Sequence, residues 1–155
     1  MLSDSQKNID WLIKKGKINT GRLLVNGFKF YGDGALGSRG ACLLEDYSDK
    51  PHQRGFLLSD IPHFKKMAKI MYDNGFQMNT HAIGDSANRV LLKIYAEILK
   101  GKNDRRWRIE HAQVVNKNDF DYFGKYSIVP SVQPTHATSD TVSYTHLTLP
   151  TKRIV

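Results

Sequence analysis

Two short strand-like runs, Phe76-Gln77-Met78-Asn79-Thr80 and Arg108-Ile109-Glu110, each lead straight into a histidine, and His81 and His111 stand thirty residues apart. That spacing is about the length of one β/α unit. The stretch between them supplies the helix: Ser86 to Leu99 carries Val90, Leu91, Ile94 and Ile98 on one face, with Gly101 as its stop. Such a repeat commits the chain to parallel strands with crossover helices, because parallel neighbours cannot be joined by a tight turn. It also brings both imidazoles to the same end of adjacent strands.

The rest of the chain extends the pattern. Ser5 to Lys15 reads as a helix with Ile9, Leu12 and Ile13 on one face and Gly16 as its stop. Leu23 to Tyr31 reads as a strand, followed by a glycine-rich aperiodic stretch from Gly32 to Leu58. Loops of that length inside a compact domain are usually functional. Ser59 is the expected cap of a helix with Pro62 in its first turn, Phe64, Met67, Ala68 and Met71 as its stripe, and Gly75 at its close. Asn116 to Tyr126 follows as a helix with Phe120 and Phe123 inward, then Ser127 to Val132 as a fourth strand. Two α/β architectures fit: half of a β/α barrel, or a small doubly wound sheet. No Gly-x-Gly-x-x-Gly follows a strand and no Walker loop occurs, which excludes the dinucleotide-binding form. The 155 residues suit one domain, whereas a closed eightfold barrel takes about 250 residues.

Composition narrows the function classes. Lysine and arginine total 23 against 15 acids, a formal charge of +8, with 40% hydrophobic residues. The cations are dispersed, which suits solvated helix faces. A basic, non-catalytic binding module for nucleic acid or another anionic partner is the alternative reading; it needs cations on one face with aromatics between them, and the aromatics here fall at core positions. We expect no nucleic-acid partner. Cys42 is the one cysteine, so no internal disulfide forms. No apolar run approaches the ~18–20 residues of a membrane span, and the first residues lack a leader pattern, so the expected compartment is the cytoplasm, with no membrane partner. Residues 142–155 have no period or turn logic and read as an extraneous, adapter-like tail, leaving 1–141 as the folding unit.

The chemistry-bearing residues sit at strand ends. Two imidazoles on rigid neighbouring strands can share a divalent cation. In the strand over Leu23–Tyr31, Lys29 alternates onto the face opposite Phe28 and Phe30. The aromatic face packs on helices, which sends Lys29 inward. A free ammonium there is costly, but an amine that has taken up carbon dioxide becomes an anionic carbamate able to bridge two metal ions. Each residue alone also fits a plainer reading: a snorkelling surface lysine, or a hydrogen-bonded core histidine.

Four runs together resemble amidohydrolase family 3, the metal-dependent hydrolases similar to N-substituted formamide deformylase. They are Phe28-Lys29-Phe30-Tyr31-Gly32-Asp33-Gly34-Ala35-Leu36-Gly37-Ser38-Arg39, His81-Ala82-Ile83-Gly84-Asp85-Ser86-Ala87-Asn88, Arg108-Ile109-Glu110-His111-Ala112-Gln113, and the segment from Ser131 to Asp140. The resemblance implies a partial (β/α)8 TIM-type barrel, about strands four to seven with their helices. It implies hydrolysis of a C–N, amide-type bond in a small molecule by metal-activated water. Lys29 would be the carbamylated bridging ligand, and His81 and His111 would hold the second of one or two divalent ions, with zinc expected and manganese, nickel or iron also suited to these ligands. Arg39 and His136 would contact substrate from rim loops, while Asp85 would cap its helix. The family's first-strand His-x-His pair and final-strand aspartate base have no counterpart here. The chain therefore reads as a central fragment, inactive alone, with no catalytic base of its own.

Overall fold

The computed structural model describes residues 1–136; the tail at 142–155 and the end of the segment running to Asp140 lie outside them. In chain order the elements are β1 (Leu2–Ser3), α1 (Gln6–Lys15), β2 (Ile18–Asn19), β3 (Leu24–Val25), β4 (Gly27–Tyr31), α2 (Ile61–Asp73), β5 (Gln77–Ala82), α3 (Asp85–Leu99), β6 (Arg108–His111), α4 (Asp121–Tyr126) and β7 (Val129–Ser131), with a 3-10 turn at Lys117–Asp119 before α4. The main sheet has five strands in the order β1-β4-β5-β6-β7, every pair parallel. The order never reverses. A doubly wound sheet turns back at a switch point, whereas a barrel wall advances in one direction, as this sheet does.

Local sequence explains the elements, with corrections at their ends. Ser5 caps α1 by accepting from the Asn8 N–H. The cap of α2 is Asp60, not Ser59: its carboxylate accepts from His63 N at 2.8 Å, which leaves Pro62 in the first turn where no N–H is needed. The run from Leu23 to Tyr31 is two strands. β3 forms an antiparallel hairpin with β2, and only β4 joins the main sheet. Gly27 opens β4 because a Cβ there would stand 2.6 Å from the Gln77 carbonyl oxygen. The helix read over Asn116–Tyr126 is split into the 3-10 turn and α4. β1 has no signature in the sequence, being only two residues long.

The core lies between the sheet and its helices. Phe28, Phe30, Met78, Ala82 and Ile109 are fully buried against Phe64, Met67, Ala68 and Met71 of α2 and Leu91, Leu92, Ile94 and Tyr95 of α3. Each large side chain so buried stabilises the fold by about 1.5–3 kcal/mol relative to exposure. Trp107 anchors the start of β6: its indole N–H donates to the Phe76 carbonyl at 3.0 Å and its ring meets Tyr95 edge-on at 4.9 Å. The Tyr95 hydroxyl shares a 2.7 Å hydrogen bond with Thr80 Oγ1, so this buried polar tip is satisfied. Among the described residues no helix is long and apolar enough to cross a membrane.

Candidate active site at the rim of the sheet

Register aligns the inward-facing residues. Lys29 pairs with Asn79, Asn79 with Arg108, and His81 with Glu110. Arg108 joins its neighbours: Nε donates to Asn79 Oδ1 at 3.0 Å and Nη2 lies 3.1 Å from Glu110 Oε1. The second contact is close but off the line of a hydrogen bond, so buried Glu110 Oε1 stays without one. Lys29 is half-buried, with Nζ 5.3 Å from the centre of the Tyr31 ring. Burial lowers its proton affinity below the usual ammonium range, with Glu110 acting against that and Arg108 adding to it.

His111 reaches His81 by an unusual backbone turn. Its register partner is Ala82, which faces the helices, so strict alternation would carry His111 away from His81. His111 instead has φ +75° and Ala112 φ +44°. Left-handed backbone costs a non-glycine residue roughly 1–2 kcal/mol. Here it accompanies imidazoles that meet edge-on with centroids 4.6 Å apart. Burial, then electrostatic competition with His111 and the charge of Lys29, push the pKa of His81 down to about 4. Burial also lowers that of His111, against a hydrogen bond that its ring donates to the Gln133 side-chain oxygen. Both rings are therefore neutral near pH 7 and keep lone pairs for a cation.

Asp33 is a residue that sequence reasoning passed over. It is almost fully buried just past β4, and its carboxylate accepts backbone N–H groups from Cys42 at 2.8 Å, Ile83 at 2.9 Å and Gly84 at 2.8 Å. Its Oδ1 lies 3.6 Å from His81 Nε2, a buried nitrogen without a hydrogen bond. Burial raises the Asp33 pKa and the three backbone donors oppose that rise, leaving it at about 6, so it is an anion at neutral pH. The signal was its place between Gly32 and Gly34 directly after a strand.

The long stretch from Gly32 to Leu58 is sewn onto the start of α3. Cys42 carbonyl accepts from Ser86 N at 3.0 Å and Ala87 N at 3.3 Å, so the loop itself satisfies these helix-terminal donors. Leu44 N donates to Asp85 Oδ1 at 2.9 Å. Asp85 is thus the first residue of α3 and a loop anchor; the expected capping bond is absent, and Gly84 holds the cap position. Gly84 is required there because a Cβ would collide with the Cys42 carbonyl. Beneath the loop, Leu36, Ala41, Leu43, Tyr47, Ile83 and Val114 form a second small core.

Of the five residues singled out in the sequence, four converge. Lys29 lies near enough to lower both imidazoles electrostatically, His81 and His111 face each other, and His136 stacks on His111 at 5.8 Å with its ring tilted by only 9°. Arg39 is elsewhere engaged: its guanidinium grips Asp49 in a two-point contact of 2.6 and 3.3 Å within the long loop. Among the described residues no three His, Cys, Asp or Glu side chains gather tightly enough to hold a metal ion. The chain's own contribution would therefore be the two imidazoles and the Lys29 amine. Neutral rings and an orphaned, buried ring nitrogen fit a divalent cation; a protonated Lys29 would repel one, and its lowered proton affinity eases that conflict.

A one-directional parallel β/α wall with its polar groups at the strand ends is a segment of a β/α barrel carrying a rim site. The chain belongs to the amidohydrolase family, whose Amidohydro_3 profile matches residues 2–151. It is 37% identical over 134 residues to Protein LONG AFTER FAR-RED 3 of Arabidopsis thaliana, covering 85% of this chain and 23% of that protein. It is 33% identical over 112 residues to the putative amidohydrolase YtcJ of Bacillus subtilis (strain 168), covering 72% of this chain and 21% of that one. Two crystal structures are similar to it: an uncharacterized metal-dependent hydrolase from Pyrococcus horikoshii OT3, with TM-score 0.81 and 29% identity over 91% of this chain and 29% of that one, and another from Pyrococcus furiosus, with TM-score 0.80 and 30% identity over 91% and 30%. The chain thus spans less than a third of the proteins it matches.

Proposed function

We propose that this chain forms the middle of a metal-dependent hydrolase that cleaves a C–N, amide-type bond in a small molecule. The facing pair of neutral imidazoles at the rim, His81 and His111, carries this reading. In it the two rings would hold a divalent ion, with zinc expected, and Lys29, as a carbamate, would supply an anionic oxygen ligand. When bound, such an ion polarises a carbonyl and lowers the proton affinity of water.

The chain's own groups set the stage for that chemistry. Burial keeps both imidazoles unprotonated and Lys29 nearer to the free amine that carbon dioxide requires. Arg108, one layer below the rim, bonds Asn79 and pairs with Glu110, so the two charges beneath Lys29 largely balance each other. His136 covers His111 from the segment after β7 and is the proposed substrate contact. Arg39 acts on substrate in this reading only through the loop it braces with Asp49. In this reading none of the described residues is assigned as general base, and an aspartate elsewhere in the barrel would fill that role.

Titration of the chain with Co2+, followed by its visible absorption, tests the reading. The wild-type chain takes up the ion, while His81→Ala and His111→Ala each lose most of that uptake. Labelled bicarbonate should add a carbamate carbon signal that Lys29→Met abolishes. Failure of the wild-type chain to bind any divalent ion would end the proposal.

A further inference from the structure

Gln133 lies past the end of β7, yet its side-chain Oε1 stands 2.6 Å from His111 Nδ1. An amide oxygen only accepts, so Nδ1 is the protonated nitrogen and Nε2 keeps the lone pair. At 2.6 Å the contact is short for N–H···O, whose usual range begins near ~2.7 Å. His111 needs outside support of this kind because its left-handed backbone persists only where its surroundings over-determine it. A second contact comes from the same short turn. His136 N donates to the Gln133 carbonyl at 3.0 Å, and the His136 ring lies nearly parallel on His111. β7 delivers this turn through its register with β6, Ser131 opposite Glu110.

We propose that Gln133 is a positioning residue for His111, fixing the rotation and tautomer of the ring so that Nε2 is the nitrogen offered to a cation. The metal-binding part of this inference rests on the function proposed above; the tautomer part does not. Nothing in the linear sequence pairs these residues, because the contact is made by strand adjacency. Oriented partners of this kind typically govern metal affinity by about 10–100-fold.

The test uses the whole chain labelled with 15N-histidine, free of metal, at pH 7.5. Long-range proton–nitrogen spectra, with His111→Gln assigning the resonance, report which ring nitrogen carries the proton. Free histidine side chains favour Nε2–H, so an Nδ1–H signal for His111 is distinctive. Gln133→Leu should lose that preference and weaken Co2+ binding about tenfold or more. Gln133→Glu keeps an acceptor and should restore the Nδ1 proton. An Nε2–H signal in the wild type, or an unchanged spectrum in a folded Gln133→Leu chain, overturns the proposal. Should Gln133→Leu fail to fold by circular dichroism, the wild-type and Gln133→Glu spectra still decide it. A wild-type chain that shows Nδ1–H but binds no Co2+ sinks the metal reading and leaves Gln133 as the partner that sets the tautomer.

Discussion

The two faces of the sheet are built from the same strands by alternate residues, yet they do opposite work. On the helix side Phe28, Phe30, Met78 and Ile109 are dry and interlocked with α2 and α3. On the inner side Lys29, Asn79, His81, Arg108 and Glu110 crowd charge and imidazole into a half-buried layer that includes an unsatisfied Glu110 oxygen. One face supplies stability and the other spends some of it. Buried polar groups cost free energy unless fully paired, so their concentration sets the inner face apart as the candidate site.

Substitutions should separate the faces by the size and sign of their effects. Phe30→Ala opens a cavity in the dry face and should lower unfolding free energy by about 4 kcal/mol, read from urea titration; a loss below about 1 kcal/mol would show that the helix side is not the main source of stability. Asp33→Ala comes next. It strands the Cys42, Ile83 and Gly84 N–H groups, and a net loss of about 3 kcal/mol is expected, together with faster hydrogen exchange at those three amides.

The pH response is smaller and carries a definite sign. His81 is held down to about 4 in the folded chain from an ordinary 6.5. Between those values the unfolded chain binds the proton more readily, so this ring makes stability fall as pH drops from 6.5 towards 4. Asp33, raised from 3.8 to about 6, acts in the opposite direction below pH 6. His81→Gln should therefore flatten the acid-side loss, most cleanly between pH 6.5 and 6; an unaltered slope there would remove His81 from the titrating groups. The smallest effect is expected at Lys29→Met. Replacing a half-buried ammonium with an apolar side chain of similar length should leave stability unchanged or raise it by up to about 1 kcal/mol, a result opposite in sign to that on the helix face.

The repeat of strand, histidine and helix was readable in the sequence because it is local: short apolar runs, helical stripes and glycine stops lie within single elements. The parallel sheet, the burial of Phe28 and Phe30 and the arrival of His81 and His111 at the same end of adjacent strands all follow from it. What stayed hidden depends on groups that residue identity does not mark. Asp33 works through main-chain donors up to 51 residues away. The left-handed turn at His111 gives no pattern, since histidine is not a residue that announces positive φ as glycine does. Asp85 looks like a helix cap from its position, yet it reaches across to Leu44. The break at Asn26 escaped because nothing in Leu23–Tyr31 marks that Leu24–Val25 pair with Ile18–Asn19 and Gly27–Tyr31 with the main sheet.

The stitching of Cys42 and Leu44 to the beginning of α3 engages peptide groups of the loop, not its side chains. A rim wall fastened in that manner is largely indifferent to which residues decorate its outer surface. Lineages sharing this barrel could swap those decorations, and with them the molecules admitted, while the imidazole pair beneath stays where it is.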